Sequence, residues 1–135
     1  MVKLIIGIKG TGKTKTMIKM VDAALENTTG DVVVLEKGEK LKFDIKYQAR
    51  LVNTDEYYIT DAQSLYGFIA GILASNHDVT DLFIDGTLKI CANDIAAFEK
   101  MVEEIDILTV KREINVVLTA SIAEEAASDV IKKYI

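Results

Sequence analysis

Three groups of residues have the types and the spacing to do chemistry. The first is Gly7-Ile8-Lys9-Gly10-Thr11-Gly12-Lys13-Thr14, which meets the pattern G-x-x-x-x-G-K-[ST] at every fixed position. Glycines in such a loop let backbone N–H groups approach phosphate oxygens. Lys13 would bring a mobile positive charge to the β- and γ-phosphates, and Thr14 a hydroxyl to Mg²⁺. Gly7, Lys9, Gly10, Thr11, Gly12, Lys13, Thr14 and Lys15 are therefore the expected phosphate-binding set. The second group is the apolar run ending in Leu82-Phe83-Ile84-Asp85, where a strand-end carboxylate would hold Mg²⁺ through its water shell. Thr14 and Asp85 form the expected metal side. The third is Glu36, the acid closing Val32-Val33-Val34-Leu35. Hydrolysis needs a group that orients the attacking water. Asp85 is followed by Gly86 rather than by a second carboxylate, so Glu36 is the best substitute; an ordinary strand-end acid is the equal reading. Lys13, Glu36 and Asp85 make the expected catalytic set.

These residues need a scaffold that brings strand ends together. Residues 2–6 read as a strand before the glycine loop. Residues 16–26 carry Met17, Met20, Val21, Ala24 and Leu25 at helical spacing. Strand, loop and helix is the context the motif requires, because a helix N-terminus directs its dipole at an anion. Residues 31–35 are a β-branched run suited to a buried parallel strand. In residues 40–47, Leu41, Phe43, Ile45 and Tyr47 alternate with Lys40, Lys42, Asp44 and Lys46. This is the period of a half-exposed strand, and residues 50–53 are its expected hairpin partner, giving a small β excursion around residues 40–54. Lys40, Lys42 and Lys46 read first as the solvated face of an edge strand, where lysine discourages aggregation, and second as a contact surface for a partner.

Thr60-Asp61-Ala62-Gln63 predicts a capping box for a helix reaching Ser75. Leu65, Phe68, Ile69, Ile72 and Leu73 make that helix apolar over most of its circumference, which suits burial within the chain or packing against a second subunit. Residues 79–85 are a strand. Asn93 or Asp94 caps a further helix to Val110, with Ile95, Phe98, Val102 and Ile105 as its apolar stripe. Residues 114–118 form another parallel strand. Ser121 and Glu124 predict a capping box opening a short helix that ends near Tyr134. Alternating strands and helices imply a three-layer α/β/α arrangement with a mainly parallel sheet and right-handed crossovers.

Composition narrows the class. With 135 residues and no proline, residues 1–135 are expected to form one domain. No apolar run is long enough for a membrane span, and no signal peptide is read ahead of the first strand. One cysteine, Cys91, excludes an internal disulfide and suits a reducing, cytoplasmic setting. A net charge of −5 argues against a dedicated nucleic-acid surface. The lone histidine, His77, reads as a surface loop residue.

The paired motifs at residues 7–14 and 82–85 resemble the P-loop NTPase superfamily. The resemblance implies Mg²⁺–nucleoside triphosphate binding at the C-terminal edge of the sheet. Thr119-Ala120-Ser121 is similar to the sensor position of the RecA and AAA-like branch, where a polar group monitors the γ-phosphate; a helix cap is the other reading of Ser121. The N-terminal strand and loop, Phe83-Ile84-Asp85-Gly86 and the Lys132-Lys133-Tyr134-Ile135 terminus resemble small stand-alone bacterial P-loop proteins, some labelled twitching-motility ATPases. The implied ligands are Mg²⁺ and a nucleoside triphosphate; ATP is the expected one, although no adenine- or guanine-reading motif fixes the base. An Asn-Lys-x-Asp guanine-reading motif is absent, which argues against a GTPase, and two arginines are few for a kinase lid. Slow ATP hydrolysis in a regulatory or motor-like role ranks first, a non-hydrolysing binding module second and a small kinase third. An arginine finger, if required, would come from another subunit or a protein partner.

Overall fold

In the computed structural model, which describes residues 1–135, the apolar runs assemble into one five-stranded sheet with helices on both faces. Strands β1 (Val2–Ile6), β2 (Asp31–Glu36), β3 (Arg50–Asn53), β4 (Val79–Asp85) and β5 (Asn115–Ala120) are all parallel, in the order β1-β5-β4-β2-β3. Parallel pairing brings every C-terminal strand end to one edge. That edge is where open α/β sheets take ligands.

Helix α1 (Lys13–Asn27) packs alone on one face, burying Met17 and Val21 against Val32, Val34, Phe83 and Val117. Helices α2 (Ala62–Ser75) and α4 (Ile95–Val110) cover the other face, over Val33, Leu35, Leu82, Ile84, Val116 and Leu118. The even residues of β2 thus face α1 and the odd ones face α2 and α4, the two-residue period of a strand buried on both sides. Each fully buried side chain of this size stabilises the fold by about 1.5–3 kcal/mol. Short helices α3 (Thr87–Ile90) and α5 (Asp129–Lys132) complete the α2–α4 layer. On α2, Leu65, Ile69 and Leu73 are buried within the chain, while Phe68 lies against Tyr57 with ring centroids 5.4 Å apart.

The hairpin expected over residues 40–54 does not form. Residues 50–53 do make a strand, but β3 runs parallel to β2, with Val33 opposite Arg50 and Glu36 opposite Asn53. A parallel neighbour needs a crossover of about a dozen residues, and residues 37–49 supply it as a series of turns. Both Asp44 N and Ile45 N donate to the Leu41 carbonyl, so the chain coils there instead of extending. Leu41, Ile45 and Ala49 are buried against α1, whereas Phe43 and Tyr47 are over 90% exposed, at 94% and 92%. The apolar alternation thus has every second member outside.

Other differences are local. The capping box of α2 is Asp61 with Ser64, one residue later than predicted: Ser64 N donates to Asp61 Oδ1 at 2.7 Å, and Asp61 N to Ser64 Oγ. Ser121 caps nothing. The 3-10 turn Glu124–Ala126 begins without a side-chain cap, and the final helix is capped by Ser128, whose Oγ accepts from Ile131 N. No helix is long and apolar enough to cross a membrane.

Candidate functional site at the C-terminal edge of the sheet

The strand period that buries α1 also sets the polar row beyond it. Val34, Phe83 and Val117 face α1, so Glu36, Asp85 and Thr119, two residues further along each strand, point to the same face at the sheet edge. Glu36 and Asp85 are register partners on adjacent strands. The residues that the sequence singled out on β2 and β4 are therefore neighbours.

The glycine loop leaves β1 on this edge and enters α1. Gly7, Gly10 and Gly12 have φ of 151°, 86° and 84°, values that side-chain-bearing residues rarely adopt. At Gly7 space is limiting as well, since an added Cβ would lie 2.6 Å from Thr11 Oγ1. Thr11 Oγ1 donates to the Ile8 carbonyl at 2.8 Å, and Lys13 Nζ donates to the same oxygen at 2.9 Å. Lys13 thus lies back on its own loop. From Lys9 to Lys15, no backbone N–H donates within the chain. Part of that run is the unpaired first turn of any α-helix; the rest follows from the glycine-bent path. The result is a concave row of exposed donors, suited to an anion.

Asp85 links the loop to the sheet. Its carboxylate accepts from Thr14 Oγ1 at 3.0 and 3.2 Å and from Thr119 Oγ1 at 2.7 Å. Thr119 Oγ1 in turn accepts from Gly86 N at 2.8 Å. Gly86, at φ 64°, turns the chain directly into α3. A threonine hydroxyl beside one aspartate fits Mg²⁺, which keeps several waters and binds through one or two protein ligands plus phosphate oxygens. No group of three or more His, Cys, Asp or Glu side chains converges here or anywhere else in the chain.

Glu36 is used differently. It is only 3% exposed; Oε1 accepts from Lys40 N at 3.1 Å, and Leu41 N donates to Oε2 at 3.0 Å and Oε1 at 3.3 Å. Burial is the largest influence and pushes its carboxyl above the ordinary 4.5, against the lowering effect of the Leu41 and Lys40 amides, while Asp85 and Glu39 raise it further.

The loop, Asp85 and Thr119 line a cleft of about 870 Å³. Lys9, Lys13, Lys15, Lys19, Lys40 and Lys89 line it against Asp44 and Asp85, so six lysines face two aspartates in a chain of net charge −5. Such a local concentration of positive charge draws anions to the cleft. Ser121 lines it too, while both arginines and His77 lie outside. Sequence reasoning left out Lys19 and Lys89, read Lys40 away from the site and gave Gly86 no role in it. A glycine following a strand-end acid was a usable signal for Gly86, but the lysines depend on loop paths that no local pattern encodes. Cys91, at the C-terminal end of α3, is buried, and its thiol is pushed up to about 12, chiefly by burial and then by Asp61 and Asp94. No protein-family model matches the chain, and no curated protein matches it in sequence.

Proposed function

We propose that this protein is a P-loop NTPase-like domain that binds a Mg²⁺–nucleoside triphosphate, ATP being the ligand to test first, in a regulatory or motor-like role with slow turnover. The observation that carries this reading is the hydrogen bond from the Thr14 hydroxyl to the Asp85 carboxylate, shared between its two oxygens, which joins the last residue of the glycine loop to the strand-end acid. The unpaired amides from Lys9 to Lys15 would cradle the phosphates, and Lys13 would swing from the Ile8 carbonyl to the β- and γ-phosphates. Bound Mg²⁺ would neutralise charge on the phosphate oxygens. Thr14 and Asp85 would hold it, and Thr119 would keep the Asp85 carboxylate oriented.

Slow turnover rests on Glu36. Both of its oxygens are engaged by backbone amides and it does not line the cleft, whose only carboxylates are Asp44 and Asp85, so a dedicated water-orienting acid is lacking. The same observation favours a second reading, a non-hydrolysing binding module. A kinase is disfavoured because Arg50 is on the edge strand and Arg112 donates to the Leu73 carbonyl, away from the cleft. The test is titration of the whole chain with ATP in Mg²⁺ and again in EDTA, with phosphate release followed on the same samples. Binding should tighten at least about tenfold in Mg²⁺, equivalent to about 1.4 kcal/mol. Turnover should fall below about 1 s⁻¹, the low end for enzymes. Absence of binding would overturn the reading; undetectable turnover would select the binding module.

A further inference from the structure

We propose that Lys40 is the cation that reads the terminal phosphate from within the chain, and that buried Glu36 is the positioning residue that sets it there. This inference rests on the proposed triphosphate site.

The sheet order puts β1 and its glycine loop on one side of β4, and β2 with the turn after it on the other. Lys40 lines the same cleft as Lys13 and Asp85, entering it from the β2 side of β4 while the glycine loop enters from the β1 side. Lys40 is free of carboxylates: the chain's ion pairs engage Lys37, Lys46 and Lys133. Its backbone is held nevertheless. Lys40 N donates to Glu36 Oε1 at 3.1 Å, and the next residue, Leu41, is 3% exposed with its side chain in the α1-facing core. A lysine whose N–H is clamped and whose neighbour is buried has a fixed Cα and a mobile charged tip. That combination suits a charge that must meet a phosphate at a set place. The arginines do not compete for this role, since neither lines the cleft. Lys89 does line it, from the last turn of α3, but no side chain clamps its backbone.

The distinguishing measurement is the affinity for Mg²⁺–ATP relative to Mg²⁺–ADP, by titration calorimetry on the whole chain. A charge-assisted contact to the γ-phosphate predicts that Lys40→Ala weakens Mg²⁺–ATP about tenfold or more and changes Mg²⁺–ADP by less than about twofold. Glu36→Ala should lower the same ATP-to-ADP ratio by freeing the turn. Glu36→Gln, which keeps an acceptor for the Lys40 amide, should restore most of it. Circular dichroism checks that each variant is folded; were Glu36→Ala to unfold, Lys40→Ala and Glu36→Gln decide alone. Equal losses for ATP and ADP in Lys40→Ala, or no loss, would overturn the assignment, as would a larger selective loss in Lys89→Ala. Failure of the wild-type chain to bind either nucleotide would remove the underlying site and this inference with it. Normal wild-type binding with an unchanged ratio in Lys40→Ala removes only the inference.

Discussion

Glu36 and Asp85 end adjacent strands, are register partners and face the same helix, yet they do opposite things. Asp85 reaches across the sheet edge to Thr14 and Thr119 and stays half-buried on the cleft. Glu36 turns back to its own chain and is spent on the amides of Lys40 and Leu41. The strands do not make this difference; the residues after them do. Gly86 bends away at once into α3, whereas residues 37–41 fold over the end of β2, tied down by Leu41 in the core. One carboxylate is left for a ligand and the other becomes part of the scaffold.

Removing each acid should separate these roles. The largest effect belongs to Asp85→Ala, which should weaken ATP binding at least about tenfold in Mg²⁺ while leaving binding in EDTA nearly unchanged. Calorimetry in the two buffers reads it directly; an equal loss in both would place Asp85 outside the metal side. Next is Glu36→Ala, where the Lys40 and Leu41 amides lose their acceptor and Leu41 stays buried. A stranded buried donor costs about 1–3 kcal/mol, so urea unfolding should show about 2 kcal/mol lost. Unchanged stability together with abolished turnover would return Glu36 to a catalytic role.

Much of the site was legible because the glycine loop and the strand-end acids are signals within a few residues: fixed glycine positions before Lys13, and apolar runs closing on Glu36 and Asp85. The parallel sheet followed from the β-branched runs. The segment over residues 37–49 was not legible, since Leu41, Phe43, Ile45 and Tyr47 alternate as a strand would. Only tertiary packing decides that Leu41 and Ile45 go inside while Phe43 and Tyr47 stay out. The role of Glu36 was hidden for the same reason, as it depends on where that segment runs. Helix α3 has four residues, too few to leave a periodic pattern.

The smallest effect sharpens the comparison through pH. Burial raises the Glu36 carboxyl above 4.5, so the folded state favours its neutral form. A raised folded value means that the stability it contributes is full below the unfolded value and is lost as pH rises through the folded one. Against Glu36→Gln, which does not titrate, the wild type should therefore lose relative stability between the ordinary carboxylate range and neutrality. Urea unfolding of both proteins across that window checks the sign; a gain with rising pH would mean that the amide bonds outweigh burial.

The most direct test of nucleotide binding is Lys13→Ala against the wild type, titrated with Mg²⁺–ATP and with Mg²⁺–GTP. Lys13 bonds only to its own loop, so its loss should leave the fold intact. The wild type should bind saturably, and Lys13→Ala at least about tenfold more weakly, the worth of one charge-assisted contact to phosphate. A folded wild type that binds neither nucleotide, or a Lys13→Ala protein that binds as well as the wild type, would contradict the assignment of this cleft.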